Sequence, residues 1–327
     1  MKKIITLTIF IFVIIIFSLI IIKKKTIKQD NKIVVAEVTH SVFYAPWYVA
    51  LDKNYFKNEG LNIEIILTPG ADKVATSVIS GDANIGLSGP EATIYVYNNS
   101  RKKLLTFASL TKRDGQFIVG DCKYKGIFNM EALIGKTVLA GRSAGMPLML
   151  FEYALKESGI NKDELTINKS VEFSGLTGAY IAKEGDFVNL FEPNASKLEK
   201  ENYGCVLASL GNITGVVPYT AFYANENYIN ENKDIFKKFN NALNKGLKFV
   251  HENDSKTIAK TIKKEFPDTS IEDLEMQIER YKQADSWYDN TYININDYYR
   301  LIDIMIYGKA INKKFTVETL VTNEFNK

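Results

Sequence analysis

Cysteine, histidine and tryptophan each occur only twice in this 327-residue chain, and proline only seven times. Cys122 and Cys205 are too far apart in sequence for the close pairing of a metal site, and His40 and His251 are the only imidazoles. Nothing therefore signals a metal centre, and no nucleophile sits beside an orienting base, so a catalytic role has little to stand on. The two thiols read as buried and free in preference to a disulfide, because free cysteine is among the most buried residue types. Low-complexity tracts and internal repeats are also missing, which sets aside disordered and solenoid architectures.

A charge excess is missing from the body of the chain as well. The net charge is +3, but residues 1–30 hold six of the 41 Lys and Arg and one of the 38 acids. The remaining 35 basic and 37 acidic residues leave a near-neutral body with no electrostatic footprint for nucleic acid.

What is abundant is apolar. Hydrophobic residues make up 46% of the chain, with 19 Phe and 18 Tyr, enough to bury a core in two lobes. Residues 4–22 are apolar apart from Thr6, Thr8 and Ser18, and lie between Lys2–Lys3 and Lys23–Lys25. As a helix this run is roughly 28 Å long, close to the ~30 Å hydrocarbon thickness of a bilayer. Secretory signal peptides have a shorter apolar stretch followed by small residues at a cleavage site, whereas Ile and Lys follow here. With no cysteine nearby for a lipid, residues 1–30 read as an uncleaved signal anchor that enters the membrane through residues 4–22. Cleavage is the alternative. Lysines on both flanks leave the orientation open on charge alone.

From residue 32 onward, strand-like and helix-like segments alternate, as in an α/β protein with largely parallel sheets. Strands are expected at 32–38, 61–67, 83–87, 136–140, 187–191 and 205–210. Helices are expected at 45–58, 71–80, 146–158 and 195–201, with Gly60 and Gly81 as C-caps and Pro90 opening a further helix. Residues 104–119 contain a strand that runs into TKRDG, a polar exit in which Arg113 and Asp114 read as a hinge pair. The extended VVPYTAFY at 216–223 reads as the return. From residue 233 the pattern is amphipathic helix, with Phe236, Phe239, Leu243, Leu247 and Val250 on one face. These signals divide the chain into the anchor at 1–30, the first part of lobe one at 31–112, lobe two at 113–217, and the return to lobe one with C-terminal helices at 218–327. Two crossovers make a hinge, and a cleft between lobes is where small ligands bind.

Particular residues extend this reading. YAPWYVALDKNYFKNEG at 44–60, LNIEI after it, GDANIGLSGPEA at 81–92, GRSAGM at 141–146 and FEPNA at 191–195 together resemble the nitrate/sulfonate/taurine and thiamine-pyrimidine group of substrate-binding proteins. The resemblance covers about residues 32–250. It implies a two-lobed type II periplasmic-binding-protein fold with two chain crossovers and a helical C-terminal segment. It also implies an extracytoplasmic monomer, held at the cell membrane with its body outside, that delivers a small solute to the permease and ATPase of an ABC importer. No cofactor or metal is implied. Gram-positive relatives of this kind are lipoproteins, so the anchor here is a departure.

Candidate binding residues lie at strand ends, where open α/β sheets place ligands. Tyr44 and Trp47 follow the first strand and offer faces for a flat ring. Ser88 and Gly89 precede the helix that Glu91 opens, and Glu91 itself reads as a complement to the helix dipole. Arg142, Ser143, Gly145 and Met146 repeat the device in lobe two, without the GK[ST] ending of a nucleotide loop. Glu192 in FEPN is the leading candidate, a carboxylate for an amino-pyrimidine or ammonium group. Its alternative is a salt bridge within the protein. Tyr219 in the return segment completes the set. The ligand expected is pyrimidine-like, such as a thiamine precursor. A sulfonate or taurine-type anion is the alternative, drawing on Arg142 and the helix starts. A lyase on the same fold, with His40 as base, and a ligand-sensing module are the readings of other classes.

Overall fold

The computed structural model describes residues 32–100, 102–143 and 145–326. The anchor expected over residues 1–30 lies outside them. Among the described residues, no helix is long and apolar enough to cross a membrane.

Branched side chains such as those of Ile33, Val34 and Val35 fit a pleated strand better than a helical turn, and they form β1 (Lys32–Glu37). The later strands are β2 (Asn62–Leu67), β3 (Ile85–Ser88), β4 (Leu104–Thr111), β5 (Phe117–Gly120), β6 (Thr137–Leu139), β7 (Thr166–Asn168), β8 (Phe187–Leu190), β9 (Cys205–Ser209) and β10 (Thr220–Asn225). They build two five-stranded sheets, in the orders β2-β1-β3-β10-β4 and β7-β6-β8-β5-β9. In the first sheet β1, β2 and β3 are parallel and β10 runs against both its neighbours. The second sheet repeats the plan, with β6, β7 and β8 parallel and β5 antiparallel to β8 and β9. This is the two-lobed, doubly crossed periplasmic-binding-protein architecture that the sequence implied.

The helices that frame the site and close the lobes are α1 (Ala45–Asp52), α2 (Ala71–Ser80), α3 (Glu91–Asn99), α4 (Met146–Glu157), α5 (Asn194–Lys200), α6 (Lys233–Glu252), α7 (Ser255–Ile262), α8 (Ile271–Gln283) and α9 (Ile295–Tyr307). Phe236, Phe239, Leu243, Leu247 and Val250 on α6 are fully buried, and Phe239 meets Trp47 of α1 and Phe222 of β10. The helix expected at 45–58 is instead broken. Asn54 takes a left-handed backbone (φ 58°), which ends α1 and starts a separate turn at Tyr55–Asn58. The segment 104–119 likewise yields two strands, one in each sheet.

The chain passes between the sheets twice, from β4 to β5 and from β9 to β10. The two passages run side by side: Val217 N–H donates to the Lys112 carbonyl at 2.9 Å and Tyr219 N–H to the Thr111 carbonyl at 3.0 Å. The C-terminal helices touch both lobes. Arg300 of α9 donates to the carbonyls of Thr214 and Val216, and Tyr307 packs edge-on against Tyr153 of α4.

The cysteines depart from the expectation of free thiols. Cys122 and Cys205 are joined as a disulfide. The β5–β9 pairing sets Gly120 opposite Cys205, which brings Cys122, just past the end of β5, alongside it.

Candidate functional site

The parallel strands β1, β3, β6 and β8 all end on the seam between the lobes. After β1, a short turn (Val42–Tyr44) is capped by Ser41, whose hydroxyl accepts from Phe43 N–H and donates to the Glu192 carbonyl beyond β8 at 2.8 Å. This turn places Phe43 at the centre of a ring cluster. Its centroid is 5.5 Å from Phe191 of lobe two, 5.7 Å from Tyr219 at the return, 5.7 Å from Tyr44 and 5.0 Å from Tyr281 of α8. These are separations at which tilted and edge-on aromatic pairs attract. All five rings are buried.

Buried carboxyls lie close enough to the rings to act on Tyr44 and Tyr219. Glu91, the first residue of α3, is 3% exposed and its carboxyl folds over Gly89, where any Cβ would collide with it. Burial pushes this carboxyl up to about 8, only partly opposed by its own backbone N–H. Oε2 of Glu91 has no hydrogen-bond partner. At the first crossing Asp114 is fully buried and accepts from Gln116 N–H at 2.8 Å and Gln116 Nε2 at 3.0 Å. Burial raises it to about 7, against the pull of the Gln116 bonds and of the nearby Tyr219 hydroxyl. That hydroxyl makes no hydrogen bond of good geometry, and Oε1 of Gln116 is unpartnered too. Tyr44 and Tyr219 are both pushed far up, first by burial and then by acids that include Glu91.

The sequence-derived set divides on this geometry. Tyr44, Ser88, Gly89, Met146 and Tyr219 lie at the strand ends beside the seam, although Ser88 Oγ is paired with the Tyr223 hydroxyl at 2.8 Å. Gly145 is half-buried and Ser143 is exposed. Arg142 reaches across the seam to Asp72 at 2.7 Å, and Glu172 is its second carboxylate neighbour. Trp47 is not on the seam: it is enclosed by Phe56, Phe222 and Phe239 in the core of lobe one, because it points from α1 towards α6. Glu192 faces inward. Oε1 takes Arg280 Nη1 at 2.7 Å, and Oε2 takes Ser196 N–H at 2.9 Å and Ser196 Oγ at 2.6 Å. Of its two readings the internal salt bridge is the one realised, and it is buried. The expected hinge pair also separates. Arg113 reaches out to Asp285 and the Gly211 carbonyl, while Asp114 turns inward.

Phe43, Phe191, Gln116 and Tyr281 are brought to the candidate site by the fold, and the sequence does not single them out. Phe43 and Phe191 stand inside segments that attract notice for a neighbour. Tyr281 carries no local signal, since it meets the seam from α8, where its hydroxyl accepts from Glu192 N–H at 2.9 Å.

His40 has partners that the sequence does not reveal. Nδ1 lies 2.8 Å from Glu37 Oε1 and 3.1 Å from the Tyr48 hydroxyl, and Nε2 lies 2.9 Å from the Glu265 carbonyl. The hydrogen bond to Glu37 raises its pKa against the opposing effect of burial. The network pins the end of β1 to the segment after α7.

A sequence model of the family described as NMT1/THI5 like matches residues 42–257. A relative, "Putative binding protein YtlA" of Bacillus subtilis (strain 168), is 38% identical over 304 residues, covering 91% of this chain and 90% of its own. The alkanesulfonate-binding protein SsuA of Xanthomonas axonopodis pv. citri, bound to MOPS, has a similar structure, with a TM-score of 0.72 at 13% identity over 90% of this chain and 99% of that one. The nitrate-binding protein NrtA of Synechocystis PCC 6803 reaches a TM-score of 0.71 at 13% identity, over 91% of this chain and 87% of that one. At such identities these two structures bear on the fold alone.

Proposed function

The chain belongs to the NMT1/THI5 like family, and from that premise we propose that it is an extracytoplasmic substrate-binding protein. It captures a small organic solute between its lobes and delivers it to the permease and ATPase of an ABC importer, without chemistry of its own. Residues 1–30 hold it at the membrane. The observation that carries this reading is the ring cluster at Phe43. It joins a strand end of lobe one to a strand end of lobe two and to the return passage, so a ligand entering there touches every part that moves on closure.

The ligand is a flat, amine-bearing ring of the pyrimidine type. Aromatic walls supply stacking area, and Glu91, Gln116 and Tyr219 add a buried acid oxygen, an amide oxygen and a phenol that have no hydrogen-bond partner. Tyr44, Gly89, Met146 and Tyr219 belong to this site, and Phe43, Phe191, Glu91 and Gln116 join them. The test is a thermal-shift screen of the purified chain against pyrimidines, sulfonates, flavins and amino acids. A true ligand at 100 times its Kd adds about 2.7 kcal/mol. A flat profile across all four classes would refute solute capture of this kind.

One observation favours a second reading. The N-terminus of α4 follows closely on Arg142, which reaches across the seam to Asp72 at the start of α2, an arrangement suited to a sulfonate. Selective stabilisation by sulfonates in the same screen would establish it.

A further inference from the structure

We propose that Glu91 reads the amino-heteroaromatic edge of the ligand as a neutral acid, donating one hydrogen bond through its carboxyl O–H and accepting another. This deepens the proposed function and rests on it, since it takes the interlobe seam as the place of binding.

Glu91 is buried at the start of α3 with Oε2 unpartnered. The titratable groups that bear on it are Tyr44 from the turn after β1, Tyr219 and Tyr223 from the return, Tyr95 on its own helix, Tyr298 on α9 and Asp72 on α2. None of these is a cation, and Asp72 brings Arg142 only as its own ion-pair partner. With no countercharge among the described residues, the carboxyl keeps its proton at neutral pH, in line with its titration near 8.

A protonated carboxyl presents one donor and one acceptor side by side. The ring nitrogen and adjacent amino group of an aminopyrimidine present an acceptor and a donor at matching spacing. A sulfonate, which only accepts, leaves the acceptor oxygen of Glu91 unmatched in a buried place. Buried polar groups are strongly selected to be paired, so the mismatch discriminates against it.

Calorimetry on the full-length chain in detergent tests the idea with three probes: 4-amino-2-methylpyrimidine, its 4-dimethylamino analogue and benzenesulfonate. The aminopyrimidine is expected to bind at pH 7 and to lose about tenfold in affinity by pH 9, as the carboxyl ionises. The dimethylamino analogue, with no N–H to donate, is expected to bind at least about tenfold more weakly. Glu91→Gln keeps one donor and one acceptor, so it retains affinity within about threefold at pH 7 and abolishes the pH dependence. Glu91→Met loses binding while its melting transition shows it folded. Loss of binding in Glu91→Gln, a pH-independent wild type, or equal binding of the dimethylamino analogue would each overturn the inference. If benzenesulfonate binds and the aminopyrimidine does not, this inference falls and solute capture stands. If none of the three binds and the wider screen is also flat, both fall.

Discussion

Arg280 donates from Nη1 to Glu192 Oε1 at 2.7 Å, and through that bond a C-terminal helix holds a strand end of lobe two. The same guanidinium also reaches Glu199 on α5, and Ser41 of lobe one holds the Glu192 carbonyl. Removing one partner of a buried pair leaves the other charge uncompensated. Arg280→Met is therefore expected to destabilise the unliganded protein by about 3 kcal/mol. Adding Glu192→Gln should cost less than the sum of the two single changes. Urea denaturation of the four proteins measures this, and strict additivity would show the pair to be uncoupled.

The Cys122–Cys205 disulfide predicts that the native protein has no titratable thiol. Replacing both cysteines by alanine is expected to cost about 2 to 5 kcal/mol, given the long loop that the bond closes. Thiol titration with and without denaturant, and denaturation of the double variant, check the two statements. A disulfide of this kind also suits an oxidising compartment outside the cytoplasm.

Glu91 and Asp114 set a pH dependence whose sign follows from their raised values. Each holds its proton in the folded chain to about 8 and about 7, against ordinary values of 4.5 and 3.8. Between those limits the folded state binds more protons than the unfolded one, so their contribution is complete below about pH 4 and is lost as pH rises through 7 to 8. Glu91→Gln removes its share of the loss. The variant is expected to gain on the wild type between pH 5 and 8, with a slope of at most about 1.4 kcal/mol per pH unit. Denaturation series at pH 5, 6.5 and 8 read the difference, and a constant gap would exclude the carboxyl as its source.

Gly115, in the first crossing, leaves no room for a side chain. A Cβ there would sit 2.6 Å from the ring of Phe43. Gly115→Ala is expected to destabilise by about 1 to 3 kcal/mol through overpacking, and Phe43→Leu should recover part of the loss. Melting curves of the single and double variants decide whether the ring is the obstacle.

The anchor reading predicts that residues 1–25 stay attached. Intact-mass measurement of the membrane fraction is expected to give the whole chain, and a product that starts beyond Lys25 would replace the anchor with a cleaved leader.

Much of the site's location is legible in the sequence because Gly and Pro punctuate strand ends. SGPE, GRSAG and FEPN all fall where β3, β6 and β8 stop. Side-chain direction is less legible. Tyr44 and Trp47 belong to one aromatic segment, yet one packs towards the seam and the other towards α6. Phe191 and Glu192 are neighbours, and it is the ring that enters the cluster at Phe43 while the carboxylate turns to Ser196 and Arg280. Arg280 is 88 positions from Glu192, and no local pattern announces a contact that α8 creates by docking. The disulfide is hidden for a similar reason, since β5 and β9 are neighbours in the sheet and not in the chain.

Because α8 and α9 fasten lobe one to lobe two, access to the seam has an energetic gate as well as a hinge. On the proposed reading, if a solute enters only where Arg280 has let go of Glu192, its apparent dissociation constant is the intrinsic one divided by the fraction of such molecules. Fastening the lobes more tightly then weakens apparent affinity, and loosening them strengthens it.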